Sequence, residues 1–175
     1  NNLYFSIGSV ILDDIVMPDG QTRMGVLGGG AVHAAMGMRV WTDMVGLVSP
    51  VGENFPSENR AQLAEYFDLQ GLQPRETLTP RAWQVYEADG KRSEIFRTSL
   101  EEFISISPNP GQLPATYHSA AGVHLQCAAP QPLASWIEHL RLRAESHLSP
   151  RMIILWEPWD IYCIPEHRPV FKELM

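Results

Sequence analysis

The sequence predicts an α/β fold in which helices flank a parallel sheet and a small β-layer is inserted. Short apolar runs alternate with helical segments along the chain, which is the pattern of parallel strands joined by right-handed crossovers. Two hairpin signals interrupt this alternation and indicate the inserted layer. A glycine-rich turn, Gly28-Gly29-Gly30, opens onto a helix of small residues, as at sites where a helix N-terminus approaches a small polar ligand.

The first part of the chain predicts one hairpin and four core elements. The turn signal Met17-Pro18-Asp19-Gly20 separates an apolar run from an alternating run, which indicates the hairpin. In order, the elements are a strand at residues 3–9, a hairpin of residues 10–16 and 21–27, a helix at 31–40, a strand at 42–48 and an amphipathic helix at 60–69.

The second part predicts another hairpin and a return to alternating strands and helices. Its strongest local signal is Asp89-Gly90, which stands between two alternating runs. In order, the elements are a hairpin of residues 82–88 and 92–98, a loop with three prolines at 108–117, a strand at 122–127, a helix at 132–146, a strand at 151–156 and a helix at 166–175.

Composition excludes several classes of function. The formal net charge is -7 and the 13 Lys and Arg residues are scattered, so nucleic-acid binding through a basic face is not expected. No apolar run reaches the roughly 18 residues needed to span a membrane. The two cysteines and six histidines lack disulfide or metal-ligand spacing, so we expect a reduced, cytoplasmic compartment and no metal site. A hydrophobic content of 45% supports a core in one domain or in half of a larger one.

An ordered set of short motifs runs along nearly the whole chain. It comprises a strand with Gly8 and the pair Asp13-Asp14, the turn Gly28-Gly29-Gly30-Ala31, the segments Val45–Val48 and Val51–Phe55, and Thr79–Ala82 before a hairpin. In this order the set resembles the PfkB, or ribokinase-like, carbohydrate kinase family. The segments Leu155–Pro158 and Cys163–Pro165 are similar to the fungal Mak-type subgroup of these proteins.

The resemblance implies a Rossmann-like core with a β-sheet lid, formed by approximately residues 10–27 and 79–98, over a sugar site. It also implies phosphate transfer from ATP, with an aspartate in a C-terminal Gly-Ala-Gly-Asp motif and an Asn-x-x-Glu motif that helps hold magnesium. Neither motif occurs in these 175 residues. We therefore expect a truncated ribokinase-like domain that comprises the substrate-binding half. By itself it is expected to bind neither ATP nor magnesium and not to phosphorylate sugars.

The missing motifs allow two interpretations. The chain is either a fragment of a kinase-like protein or a naturally shortened member, a pseudokinase, with another use. In the second case it could be a different small-molecule enzyme, an acid–base isomerase or cyclase that uses Asp14, His33 and Glu157. It could equally be a non-catalytic interaction module, because a fold does not by itself define a function.

The glycine-rich turn supplies the first candidate site residues. Gly28, Gly29 and Gly30 occupy the acceptor-binding position of the family and are candidate substrate-binding residues. His33 stands where the family usually has Asn. The helix dipole would disfavour the charged imidazole, so His33 is a candidate catalytic base, and the alternative is a packing residue that bonds to the neighbouring loop.

Acidic and amide side chains supply further candidates for substrate binding. Asp13 and Asp14 are adjacent in a strand, so one should face the pocket and the other solvent, with Asp14 preferred for the lid side. Alternatively, both are charges that discourage pairing at a hairpin edge. Glu53 and Asn54 stand in the family's specificity loop in place of its Gly-x-Asp pattern, where Asn54 could instead cap a turn.

Glu157 ends a predicted strand at the carboxyl edge of the sheet, where ligands bind in open α/β folds. Its neighbours Trp156 and Trp159 make it a candidate general acid; alternatively, the two rings cover the end of the sheet. A last strand with no further partner would expose its edge, so we expect a homodimer through the lid or through this edge. The expected ligand is a small molecule, either a sugar or a nucleoside.

Overall fold

The computed structural model describes residues 2–127, 130–144 and 152–174. Within these ranges the chain forms nine strands and five α-helices. The strands are β1 (Tyr4–Ile7), β2 (Ile11–Val16), β3 (Thr22–Gly28), β4 (Val45–Gly52), β5 (Leu72–Arg75), β6 (Arg81–Tyr86), β7 (Arg92–Phe96), β8 (Gly122–Cys127) and β9 (Ile153–Pro158). The helices are α1 (Gly30–Arg39), α2 (Ser57–Ala64), α3 (Leu100–Ser105), α4 (Pro130–Ala144) and α5 (Arg168–Leu174).

Five parallel strands form the core sheet in the order β5-β4-β1-β8-β9. The central strand β1 pairs with β4 on one side and β8 on the other, and its Phe5 and Ile7 are fully buried. Apolar residues dominate β1, β4 and β8 because both faces of a parallel sheet are covered. This sheet confirms the predicted α/β fold.

The two predicted hairpins form a second, four-stranded sheet in the order β3-β2-β6-β7. Each hairpin is antiparallel, and the hairpins join through a parallel pairing of β2 with β6. Gly20 and Gly90 have positive φ values of 83° and 84° in the two tight turns, which a side chain would disfavour. The β-layer predicted from the broken alternation is therefore present as a mixed sheet.

Several element boundaries differ from the predictions. Helix α2 spans Ser57–Ala64 rather than 60–69, since the chain turns at once to place Phe67 in the core. Strand β5 was not predicted, because its four residues include a proline that suits an edge position. Helix α3 was not predicted either, although the Ser99 and Glu102 side chains form a capping box at its start. The predicted boundaries at Ser146, Arg151 and Met175 lie outside the described residues.

Helices and turns carry the elements that surround one end of the core sheet. Helix α1 packs on β1 and β4 through Ala31, Val32 and Ala35, whose small size permits a close approach. Helix α4 buries Trp136 on the other side, where its indole N–H donates to the Pro108 carbonyl at 3.1 Å. No helix among the described residues has both the length and the apolar character needed to cross a bilayer.

Candidate functional site

A cavity of about 240 Å³ lies between the second sheet and the carboxyl ends of core strands β1, β8 and β9. This end of a parallel sheet is where open α/β folds bind their ligands. The lining residues come from both sheets, helix α1 and the segments after α3 and β9: Ser9, Ile11, Asp13, Gly29, Gly30, His33, Gln84, Arg92, Glu94, Phe96, Phe103, Ser107, Pro108, Gln126 and Trp159. The cavity is therefore the candidate binding site.

Three acidic or amide side chains form a row on the cavity face of the second sheet. The Gln84 amide donates to Asp13 Oδ1 at 3.0 Å and to Glu94 Oε1 at 2.7 Å. Gln84 is only 5% exposed, and its Oε1 has no hydrogen-bond partner among the residues that the structure describes. Asp13, Gln84 and Glu94 thus offer hydrogen-bond acceptors side by side, which suits a ligand rich in donors.

Burial raises the pKa of Asp13 above its ordinary value. The hydrogen bond from Gln84 opposes this rise, while the neighbouring charge of Glu94 adds to it and those of His33 and Arg92 reduce it. Asp13 is therefore a carboxylate partly removed from water and held in place by an amide. A ligand hydroxyl that donates a hydrogen bond to this carboxylate would replace the hydrogen bonds from water that burial removes.

The glycine-rich turn brings the backbone against both the second sheet and Gln126. A side chain at Gly28 would collide with the carboxylate of Asp13, and one at Gly30 would collide with the Gln126 amide. Gly29 has a φ of 97°, and a side chain there would also meet the Ser9 carbonyl. Gly29 and Gly30 line the cavity, whereas Gly28 does not line it and lies against the Asp13 carboxylate.

His33 lies on the first turn of α1 and is solvent-exposed. Its ring lines the cavity, and it also lines a second, more open groove between α1 and strands β8 and β9. His33 therefore stands at the rim of the site, where a bound ligand could reach it. Its exposure is unlike that of a residue packed in the core.

Asp14 does not line the cavity, and it does not face solvent. Its carboxylate is fully buried, pairs with Arg81 and Arg97, and accepts the Gly25 N–H at 2.9 Å. Burial alone would raise the pKa of Asp14, but these hydrogen bonds and the Arg81 charge hold it below the ordinary value. Strand alternation correctly separates the two aspartates, and the structure places Asp13 rather than Asp14 at the site.

Glu53 and Asn54 lie outside the cavity, in the turn after β4, and both are exposed. The Asn54 Oδ1 accepts the Thr79 N–H at 2.7 Å, and the Thr79 hydroxyl accepts the Gly52 N–H at 2.8 Å. These bonds join the end of a core strand to the start of β6. Asn54 therefore positions the second sheet relative to the core.

Glu157 also lies outside the cavity, in the groove between α1 and β9. Its carboxylate is half-exposed and lies 2.9 Å from Nε2 of the buried His124. The other ring nitrogen of His124 lies 3.3 Å from the fully buried Ser6 hydroxyl. Trp156, one of the two rings predicted to surround Glu157, packs on Phe171. His33 and Glu157 thus line the same groove, whereas Asp14 does not line it.

An aromatic wall also lines the cavity. It consists of Phe96, Phe103 and Trp159, with Phe103 and Trp159 stacked at 5.0 Å and Phe96 edge-on to Phe103 at 5.5 Å. Sequence reasoning missed this wall and also missed Gln84. The one available signal was Gln84 itself, a polar residue at a position where strand alternation predicts an inward-facing side chain.

The magnesium ion expected for phosphotransfer has no ligand set here. In residues 2–127, 130–144 and 152–174, no group of three or more His, Cys, Asp or Glu side chains is placed to hold a metal ion. The acidic pair Asp13 and Glu94 is already bridged by the Gln84 amide.

No family model matches the sequence. The chain is 26% identical over 135 residues to a cytidine kinase of Thermococcus kodakarensis, a match that covers 77% of this chain and 47% of the relative. It is 26% identical over 181 residues to an uncharacterised protein of Schizosaccharomyces pombe, which covers 98% of this chain and 47% of that protein. The chain thus spans about half the length of both curated relatives.

Solved structures define the fold. The PfkB protein from Polaromonas sp. JS666 matches with a TM-score of 0.71 over 99% of this chain and 63% of its own, at 15% identity. The nucleoside kinase of Methanocaldococcus jannaschii, an archaeal member of the ribokinase family, matches with a TM-score of 0.62. The match covers 98% of this chain and 57% of that kinase, at 18% identity. The Burkholderia thailandensis nucleoside kinase in complex with inosine matches with a TM-score of 0.64. That match covers 87% of this chain and 52% of the kinase, at 12% identity.

The parallel core and its mixed second sheet therefore define a ribokinase-like fold. The resemblance to the PfkB carbohydrate kinases predicted from the sequence motifs is confirmed at the level of that fold. The assignment to the fungal Mak-type subgroup stays a prediction.

Proposed function

We propose that this chain is the acceptor-binding half of a ribokinase-like phosphotransferase and that its cavity binds a sugar or a nucleoside. The observation that carries the proposal is the position of Asp13. Its carboxylate is held by Gln84 in a cavity beneath the second sheet, at the carboxyl ends of the core strands. The names of two similar proteins, a cytidine kinase and a nucleoside kinase with inosine, describe acceptors that carry ribose hydroxyls.

The polar wall of the cavity suits a hydroxyl-bearing ligand. Asp13, Glu94 and the Gln84 Oε1 all accept hydrogen bonds, so a ligand that donates several O–H groups satisfies them together. A charge-assisted bond from a hydroxyl to a carboxylate is stronger than one between neutral groups. Asp13 would therefore fix the orientation of the acceptor. Gly29 and Gly30 would allow the backbone to approach the acceptor, while Gly28 leaves room for the Asp13 carboxylate.

His33 is the proposed partner of the ligand at the rim of the site. His33 and Asp13 line the same cavity, and the position of His33 on the first turn of α1 leaves its ring accessible. An imidazole there could accept or donate a hydrogen bond to an acceptor hydroxyl. Glu157 lies in the adjoining groove, where its proposed role is to hold His124 beside α1.

Phosphate transfer is proposed to require more than these residues. The transfer needs a positioned nucleotide, metal charge and a base near the attacking hydroxyl. The 175 residues contain neither the Asn-x-x-Glu nor the Gly-Ala-Gly-Asp motif, and the described residues provide no metal site. We therefore propose that this chain alone binds the acceptor, whereas ATP and magnesium are bound by a second half of the protein.

Calorimetric titration tests the acceptor site directly. We expect the full-length protein to bind cytidine, inosine or ribose and to lose this binding when Asp13→Asn removes the carboxylate charge. Glu53→Gln is the matched control, because Glu53 is exposed and lies outside the cavity. Equal binding by the Asp13→Asn and Glu53→Gln proteins, or no binding of any of the three compounds by the unmodified protein, would contradict the proposal.

Self-association is a further part of the proposal. We propose a homodimer formed through the outer face of the second sheet or through the edge of β9 that has no partner strand among the described residues. The outer face carries Trp83 and the exposed Ile95, and β9 exposes Ile153 and Leu155. Exposed apolar surface of this kind favours association.

A further inference from the structure

We infer that the groove between helix α1 and strand β9 is the docking surface for a helix from the second half of the protein. The inference rests on the proposed division of the protein into two halves and adds the surface where the halves meet. The groove has a volume of about 490 Å³ and shares only Gly30 and His33 with the acceptor cavity. It is therefore a surface distinct from the one that Asp13 lines.

Strand β9 is covered on one face only by the described residues. Trp156 packs on Phe171 of α5 and adjoins the core cluster on that side. On the other face, Leu155 is 62% exposed and lines the groove with Glu157, and strand alternation places the exposed Ile153 there too. Parallel sheets are covered by helices on both faces, so the bare face of β9 is where a further helix fits.

The α1 side of the groove has the form of a helix-packing surface. Gly30, Ala34 and Trp41 line it at helical spacing, along α1 and the turn that follows. Gly30 and Ala34 have little or no side chain, so a second helix can lie close to the α1 backbone. Trp41 is 89% exposed and extends the apolar surface past the end of α1. A contiguous apolar surface of this kind is typical of one that another element covers.

The parallel sheet sets the direction of the docked helix. A helix that connects parallel strands starts at their carboxyl ends and runs back along them, as α1 does from Gly30 to Arg39. The N-terminus of a docked helix would then lie at the carboxyl end of β9, beside Glu157. The Glu157 carboxylate is half-exposed, although it lies 2.9 Å from Nε2 of His124. A carboxylate at this position complements the partial positive charge of a helix N-terminus.

The occupant of the groove is inferred to be part of the same protein rather than a second copy. The chain spans about half the length of its two curated relatives, so each relative contains roughly as much chain again. A two-fold dimer would instead place the same surface of each copy against the other. Two facing grooves do not fill one another, whereas a helix fills a groove that runs the length of α1.

Hydroxyl-radical footprinting with mass spectrometry tests the inference on the full-length protein. Leu155 and Leu142 are a matched pair, since they are 62% and 63% exposed and Leu142 lies outside the groove. We expect Leu155 to be oxidised several-fold more slowly than Leu142. We also expect Trp41 to be as unreactive as the fully buried Trp136. Equal rates at the two leucines, or a much higher rate at Trp41 than at Trp136, would overturn the inference.

A substitution in the α1 wall identifies the groove as the covered surface. Ala34→Trp places a bulky side chain in the groove, and Ala34 does not line the acceptor cavity. In this variant we expect the oxidation of Leu155 to rise to the rate of Leu142. Met36→Trp, at an exposed α1 position outside the groove, is the control and should leave Leu155 protected. Continued protection of Leu155 in Ala34→Trp would contradict docking in this groove.

Dilution and ligand binding separate the remaining outcomes. Protection that is independent of protein concentration supports a helix of the same chain, whereas protection that fades on dilution indicates a second copy and overturns the inference. Calorimetric titration with ribose, compared between the unmodified protein and Asp13→Asn, reports on the acceptor site alone. A reactive Leu155 with Asp13-dependent binding overturns only the docking surface. A protected Leu155 without ligand binding supports the docking surface and contradicts the acceptor site.

Discussion

At the residue scale, two adjacent aspartates have opposite electrostatic environments. Asp13 is half-buried, and its partial burial and the nearby Glu94 charge raise the pKa of its carboxyl, although the hydrogen bond from the Gln84 amide opposes the rise. Asp14 is buried more completely, yet two arginines and the Gly25 N–H hold its pKa below the ordinary value of 3.8. Asp14 therefore stabilises the fold, whereas Asp13 is maintained at some cost to stability. Such a cost is typical of a binding residue.

The first prediction compares the stabilities of two variants. We expect Asp14→Asn to lower the free energy of unfolding at pH 7 by about 1–3 kcal/mol, because it leaves Arg81 and Arg97 without their counter-charge. We expect Asp13→Asn to leave stability unchanged or to raise it, since the uncharged amide avoids the cost of burial. Urea denaturation at pH 7 measures both values, and a larger loss for Asp13→Asn than for Asp14→Asn would contradict the prediction.

The second prediction concerns the pH dependence of stability. A carboxyl group with a lowered pKa in the folded state stabilises the fold above its unfolded pKa, and this stabilisation is lost as the pH falls through the folded value. For Asp14 the loss therefore begins near the ordinary value of 3.8 and continues below it. Asp14→Asn should be less sensitive to acid than the unmodified protein over this range. Thermal melts between pH 6 and 2 check this, and parallel curves for both proteins would contradict it.

At the element scale, the glycine-rich turn is the feature that the sequence predicts best. Gly29 and Gly30 line the cavity and helix α1 starts within one residue of its predicted position. The turn was recognisable because consecutive glycines before a helix of small residues are typical of a tight turn in which the backbone makes a close approach. Helix α3 and strand β5 were not, since elements of six and four residues contain too few positions to show a period.

The third prediction compares two glycines at the ends of one helix. We expect Gly29→Ala to destabilise the protein by about 2–3 kcal/mol, because its φ of 97° and the nearby Ser9 carbonyl exclude a side chain. We expect Gly37→Ala to stabilise it by about 0.5–1 kcal/mol, because this position is helical with open space around it. Chemical denaturation measures both changes, and similar effects at the two positions would argue against the role of the turn.

At the scale of the whole molecule, the motifs predicted the layers of the fold but not the partners within the site. Alternating strands and helices predicted a parallel sheet, and Asp89-Gly90 predicted a hairpin in the second sheet. The aromatic wall combines Phe96, Phe103 and Trp159 from segments far apart in the chain. Only the folded arrangement brings them into the cavity that Asp13 also lines, because no local spacing relates residues on β7, on α3 and after β9.

Strand β9 is one of the two surfaces through which we propose that the molecule associates. Ile153 is 70% exposed and Leu155 is 62% exposed, and within residues 2–127, 130–144 and 152–174 strand β9 pairs only with β8. An edge strand with unpaired backbone groups and apolar side chains is a template for pairing with another chain. The outer face of the second sheet, with Ile95 beside Trp83, is the competing surface.

The fourth prediction separates these two surfaces in the 175-residue chain. We expect the chain to be dimeric or larger at micromolar concentration and expect Leu155→Lys to shift it toward monomer, because a charged side chain discourages pairing at an edge. Ile95→Lys should have this effect instead if the second sheet forms the interface. Leu142→Lys replaces an equally exposed leucine on α4 and should leave association unchanged. Light scattering coupled to size-exclusion chromatography gives the mass of each protein, and a monodisperse monomer for the unmodified chain would contradict self-association through either surface.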